Sequence, residues 1–299
     1  MKKTLTYTII FLSFFDLVFS QDKKQNDTEQ TKKWAFENIT IGQSMATSEE
    51  QELPAQLSVT FPKGKKASYL INTGININFK IDRWPKLLGS FTGEYHRNTL
   101  TDKEQNNIQL GIKGHYNFAS EPETKYILIF DPQFSRDFVE DKNSIQSNLL
   151  FTWVTNNKPL NFGAHNYLNK KETIATKISI IAGAQFQNVF HGDANQDLRG
   201  FKFRPIGTVN AGIYFLRNES DPTDPVVDIT AAYTQRLIVI NSTADSEKNT
   251  YQFTSSINYY IATNPVKLSI GGTFLDGSDP YTALKQQQYF LISFNVFLN

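Results

Sequence analysis

From Ser68 to Asp82 the chain keeps a two-residue period. Tyr69, Ile71, Ile75, Ile77, Phe79 and Ile81 hold the odd places, and Asn72, Asn76, Asn78, Lys80 and Asp82 the even ones. Successive side chains of a strand point to opposite faces, so this stretch has one oily face and one wet face. It also outspans an ordinary strand of about 5–6 residues.

The pattern recurs to the end of the chain. Turn signals after Pro54 mark off about twelve strand windows: 55–61, 67–82, 88–99, 107–118, 125–138, 144–155, 173–190, 201–217, 226–237, 250–261, 266–275 and 286–298. Within them Ile108, Leu110, Ile112, Tyr116 and Phe118 oppose Gln109, Lys113, His115 and Asn117. Phe201, Phe203, Val209, Ala211, Ile213 and Phe215 oppose Lys202, Arg204, Thr208, Asn210 and Tyr214. Polar faces so rich in Asn, Gln and Lys are too hydrophilic for a packed soluble core, and should enclose a wet lumen while the oily faces meet hydrocarbon. The expected fold class is all-β: an antiparallel transmembrane β-barrel of about twelve strands. The fold-level rival is a soluble β-sandwich.

The amino terminus fits export. Lys2 and Lys3 precede an apolar run from Tyr7 to Phe19, which ends at Ser20 before Gln21; this is the pattern of a secretory signal peptide cleaved after residue 20. Residues 21–54 are polar and irregular apart from a hint of order at Trp34–Ile41, and read as a periplasmic extension. The barrel is expected over 55–299.

Composition narrows the field. The chain has no cysteine, which excludes disulfides, Cys/His metal sites and lipid attachment at an amino-terminal Cys. Its longest apolar runs fall far below the ~18 residues of a spanning helix. Removing residues 1–20 takes Lys2, Lys3 and Asp16 from 30 basic and 29 acidic residues. The formally neutral remainder offers no field to attract nucleic acid. The 24 Phe, 13 Tyr and 3 Trp fall often near strand ends, as aromatic girdles at a bilayer interface would.

The closing segment, Tyr289-Phe-Leu-Ile-Ser-Phe-Asn-Val-Phe-Leu-Asn299, resembles the final strand of Gram-negative outer-membrane proteins. Phe297 lies two residues inside the terminus, where that family usually places its last aromatic at the end. With Gln21 directly after the signal and short Lys/Asn-rich loops, the chain looks like barrels of the Bacteroidota. The resemblance spans roughly 55–299 and is architectural. It implies residence in the cell outer membrane among its lipids, and recognition of the last strand by the barrel-assembly machinery.

The histidines lack the spacing of a catalytic pair. Membrane phospholipase barrels set His and Ser two apart on one strand face. Here His96 has Glu94 and Asn98 at those offsets, His115 has Lys113 and Asn117, His165 has Gly163 and Tyr167, and His191 has Val189 and Asp193. No Gly-x-Ser-x-Gly elbow, P-loop or dinucleotide pattern occurs, and no cofactor is implied. Asp193, Asn195 and Asp197 have the spacing that opens a calcium loop, but Leu198 and Arg204 stand where Gly and Glu are required; a polar turn is the better reading.

Inward charges remain: Lys80, Glu94, His96, Lys113, His115, Lys177, Lys202, Arg204, Asp228 and Arg236 are the lumen-lining candidates. One register of the 88–99/107–118 hairpin sets Glu94 opposite Lys113 with His96 beside them. Such charges tune selectivity in a pore, or interlock to fill a narrow lumen; about twelve strands lies between filled and open barrels. The sequence therefore points to a non-enzymatic channel or carrier for small hydrophilic solutes. The alternative is a structural or interaction barrel of the envelope, with lipid hydrolysis behind both. Short loops argue against an elaborate receptor surface.

Overall fold

The computed structural model describes residues 39–42, 55–60, 68–80, 86–99, 104–121, 124–155, 161–191, 198–219, 221, 224–245, 247–263 and 266–298. The expected signal peptide, the rest of the expected 21–54 extension and the Asp193/Asn195/Asp197 turn lie outside them.

The strands are β1 (Ile39–Gly42), β2 (Ala55–Thr60), β3 (Ser68–Lys80), β4 (Leu87–Asn98), β5 (Gln105–Glu121), β6 (Thr124–Phe130), β7 (Gln133–Asp137) and β8 (Lys142–Thr155). They continue with β9 (His165–Tyr167), β10 (Ile174–His191), β11 (Gly200–Leu216), β12 (Pro225–Arg236), β13 (Ile240–Asn241), β14 (Thr250–Ala262), β15 (Val266–Asp279) and β16 (Leu284–Leu298). All of these pair antiparallel with their neighbours in one sheet. Pairing of β10 with β11 and of β16 with β1 and β2 closes it into a twelve-stave barrel. Closure gives each of the twelve staves a neighbour on both sides, as hydrocarbon demands, while the short β9 and β13 pair on one side, with β10 and β11.

Two staves are built in pieces. Gly42 faces Gly74 and Gln56 faces Asn72, so β1 and β2 lie end to end along β3. Ile39–Gly42 therefore belongs to the barrel, correcting the expectation that all of 21–54 lies outside it. The hint of order at Trp34–Ile41 is realised over Ile39–Gly42 as a short strand. The window 125–138 also divides: β6 and β7 share one register with β5 and β8. The strand is interrupted at Asp131–Pro132, where proline has no N–H to give, and β5 carries a bulge between Asn117 and Ala119 opposite β6. The long connection 156–172 holds strand-like residues, since β9 extends the wall along Ala175–Lys177 of β10.

The alternation is realised as an oily exterior. Leu57, Phe91, Leu110, Ile145, Ile257, Ile270, Phe290 and Ile292 are each more than half exposed on the outer face, forming a belt around the wall that no water-soluble surface tolerates. Inside, Asn72, Gln109, Gln146, Gln185 and Asn258 are buried and polar. This arrangement excludes the soluble sandwich.

One inner sector departs from the expected polar lining. Ile127, Ile129, Leu150 and Ile181 form an apolar cluster with Val154 and Ile206 against it. The runs Ile127-Leu128-Ile129, Leu149-Leu150 and Ile180-Ile181 are apolar on both faces, so periodicity hid this patch. Gly183 lies beside it: a Cβ there would come 2.1 Å from the Leu149 carbonyl oxygen and 2.8 Å from Leu150 Cα. Gly183→Val is expected to destabilise the barrel by about 1–3 kcal/mol through overpacking, measured as a shift in the urea midpoint of protein folded in lipid vesicles.

Candidate functional site

The candidate site is the barrel interior near the rim that carries the 138–141 and 280–283 turns and the described residues 237–245 and 247–249. Two of these turn inward instead of standing out as surface loops. In the first, the turn after Asp279 carries Tyr281 into the barrel, where it is 3% exposed. The Tyr281 carbonyl accepts from Gln109 Nε2 at 2.5 Å and Gln146 Nε2 at 2.7 Å, and its hydroxyl donates to the Asp131 carbonyl at 3.1 Å. Thr282 O accepts from Gln105 Nε2 at 2.6 Å. These partners sit on β5, the β6–β7 break and β8, well removed around the wall from β15 and β16. Gln105 and Gln109 lie four residues apart on β5, about 13 Å at ~3.3 Å per residue, and their long side chains converge on the adjacent Thr282 and Tyr281 carbonyls.

In the second, the first limb of 237–249 continues the ladder of β11: Leu237 N donates to Pro205 O, Val239 N to Phe203 O and Ser242 N to Phe201 O. The return limb then lays two carboxylates over a basic pair. Glu247 accepts from Arg204 through Nε at 2.6 Å and Nη2 at 2.7 Å, and from Lys202 Nζ at 2.6 Å. Asp245 takes a second hydrogen bond from Lys202. Arg204 also donates to Gln185 Oε1 (3.2 Å) and Gln187 Oε1 (2.9 Å). Gln187 donates onward to Gln146 Oε1 at 3.3 Å, and Gln133 to Gln109 Oε1 at 2.8 Å. One chain of side-chain amides thus links the two inward loops. Gln109, Gln146 and Gln185 are 1%, 2% and 1% exposed, so at this level the interior is filled.

The loop carboxylates are electrostatically bound. Burial alone would raise Asp245, but the hydrogen bond and charge of Lys202, helped by Asn241 and Thr243, hold it down at about 2. Burial opposes ionisation of Glu247 too, and Arg204 and Lys202 override it to lower its pKa. A carboxyl whose folded value lies below its unfolded value near 4 gives stability that is complete above that value, and lost as pH falls through the folded one. The 243–249 limb should therefore hold from neutral pH to about 4 and detach between about pH 4 and 2. Mobility of a nitroxide on a cysteine at Lys248 would report the release; a label equally immobile at pH 7 and pH 2 would contradict it. A further rim tie joins Glu140 to Lys142 (2.8 Å) and to Lys285 of β16 (3.1 Å).

The other sequence candidates line the same interior without converging on one point. Glu94 and His96 face inward on β4. His96 Nε2 donates to Glu94 Oε2 at 3.0 Å, and Nδ1 lies 3.2 Å from the Asn72 side-chain oxygen. Lys113 is buried on β5, but Glu94 pairs with Gln109 and Lys113 with Ser90. The expected Glu94–Lys113 register is thus corrected. The hairpin closes more tightly, with Asn98 opposite Gln105; the shift is even, so no side chain changes face. His115 is half-buried on the inner face and Lys177 is buried on β10. Asp228 accepts from Asn258 Nδ2 (2.8 Å) and Tyr260 Oη (2.6 Å). Arg236 pairs with Asp279 at 2.8 Å, bracing the Tyr281 turn. Lys80 ends β3, and its side chain lies outside the described residues.

Sequence reasoning missed Tyr281, Asp245, Glu247, Asp279 and the glutamine chain. The first four read as ordinary polar loops, since nothing local tells an inward turn from an outward one. The glutamines carried a signal, because Gln105 and Gln109, and Gln185 and Gln187, repeat on the inner face. Among the described residues no group of His, Asp and Glu could hold a metal ion.

No protein-family model and no curated protein matches the chain. Among solved structures it is similar to the NanC porin in a rhombohedral crystal form, at 11% identity and a TM-score of 0.41, over 82% of this chain and 98% of that one. It is also similar to a structure from work on in-meso crystallization of membrane proteins, at 12% identity and a TM-score of 0.32, over 82% of each chain. Neither likeness carries functional information to this chain.

Proposed function

We propose that the chain is an outer-membrane channel for small hydrophilic solutes, held closed near one rim by its two inward loops. The observation carrying this reading is the Tyr281 turn. It is attached to the far wall by glutamine amides and one phenol rather than by a hydrophobic core. Each such hydrogen bond contributes about 0.5–1.5 kcal/mol net, so the turn is held firmly but reversibly. The polar inner faces would give hydrated solutes hydrogen-bonding partners once it moves, and the inward charges would set the field along the path. Recognition of β16 by the assembly machinery belongs to the same proposal, and no catalytic step is part of it.

The test is planar-bilayer recording of the folded full chain. Brief, low-occupancy openings are expected from the unmodified protein, with long openings once the turn is released. Silence from folded protein in which the turn has been removed would refute the channel.

The filled glutamine layer favours a second reading, a structural barrel whose interior only braces the wall. That reading predicts the same silence, together with a large loss of stability when the turn is removed.

A further inference from the structure

The Lys202–Arg204 pair and the carboxylates covering it have the form of an occupied binding site. Lys202 and Arg204 stand two apart on the inner face of β11, and their side chains are 4% and 2% exposed. Two cations so placed are costly to bury without an anion. The anion is supplied by a loop and not by the wall: Glu247 meets Arg204 through two nitrogens, at 2.6 and 2.7 Å, the fork geometry by which guanidinium selects a planar carboxylate. Gln185 and Gln187 fix the guanidinium from the other side. The carboxylates are the more exposed partners, Asp245 at 30% and Glu247 at 14%, so they cover the cations from the solvent side.

Resting on the channel reading above, we infer that Lys202, Arg204, Gln185 and Gln187 form a binding site for the carboxylate group of a small organic acid. In this state the side chains of Asp245 and Glu247 occupy it. A solute carboxylate takes over the bonds to Arg204 and Lys202, and Glu247 and Asp245 pass into water still ionised. One incoming carboxylate replaces one of the two departing negative charges and a dicarboxylate such as succinate replaces both, so the buried cations are never left bare. The 237–242 limb stays on the β11 ladder, and only the return limb swings.

A tethered competitor acts at an effective concentration of the order of millimolar. The unmodified protein should therefore bind succinate weakly. Replacing both carboxylates (Asp245→Asn with Glu247→Gln) should tighten succinate binding by about tenfold or more. Isothermal titration of the detergent-folded full chain reads this without any current. Equal affinity before and after the double substitution would overturn the inference. So would a double variant whose affinity survives Arg204→Gln, or one that binds neutral succinamide equally well.

A second measurement keeps both carboxylates and does not depend on those variants folding. Because the chain has no native cysteine, a nitroxide at Lys248→Cys marks the return limb alone. Saturating succinate should mobilise it; an unmoved label overturns the site, and equal release by inorganic phosphate overturns the assignment to carboxylates. Absence of bilayer current alongside succinate-driven release would refute the channel and leave the site standing.

Discussion

Ile292→Arg is expected to destabilise the folded barrel by about 2–4 kcal/mol, the cost of a guanidinium facing hydrocarbon near the bilayer midplane. Ile292 lies near the middle of β16 and is 69% exposed, between Phe290 at 67% and Phe294 at 48%. The cost depends on depth, so Gln288→Arg, on the same outer face but nearer the rim, should cost only about 0–1 kcal/mol. Urea titration of protein folded into lipid vesicles checks both from their midpoints at constant slope. In a water-soluble protein an exposed Ile→Arg change is worth no more than about half a kilocalorie per mole. The contrast between the two positions therefore reads the surrounding solvent as well as the residue.

The second large effect concerns the plug. Tyr281→Ala keeps the carbonyl that Gln109 and Gln146 hold, but deletes the ring and the hydroxyl bonded to the Asp131 carbonyl. Losing one buried hydrogen bond together with an aromatic side chain's packing removes about 2–3 kcal/mol from the closed arrangement. If that energy holds the turn down, the open fraction rises by about 30-fold or more, seen as longer openings in bilayer recordings. Replacing 280–283 by Asn-Gly, which closes a two-residue hairpin, should lengthen the openings further, with the 243–249 limb as the remaining obstruction. A Tyr281→Ala protein that is folded and as quiet as the unmodified chain would assign the turn to bracing alone.

The sequence made the wall legible because lipid on one side and polar groups on the other force a period of two over long stretches. Ser68–Lys80 and Thr250–Ala262 appear as strands close to where the alternation puts them. Register was less secure. Nothing in the 88–118 hairpin sequence distinguishes a register that sets Glu94 opposite Gln109 from one that sets it opposite Lys113, four residues away. Side-chain face survived because the slip was even.

The interior was legible only in part. Arg204, Lys202 and Arg236 could be placed on the inner face, but not their anions, since Glu247 reaches them from a loop and Asp279 from the end of β15, both distant in the chain. The Ile127–Ile129 patch was lost for the opposite reason: where both faces are apolar, alternation has nothing to report.

The direction of the oily face is most directly tested by nitroxide scanning of β14 in lipid vesicles, which the cysteine-free sequence allows without background. Labels at Ile257, Tyr259 and Ile261, whose native side chains are 51%, 57% and 53% exposed, should collide freely with oxygen dissolved in the bilayer and hardly at all with a water-soluble nickel chelate. Labels at Ser256 and Asn258, on the inner face, should show little oxygen contact. The reverse pattern, with the Ile257 row shielded and the Asn258 row in open contact with the bilayer or bulk water, would contradict a barrel that turns its apolar residues outward to lipid.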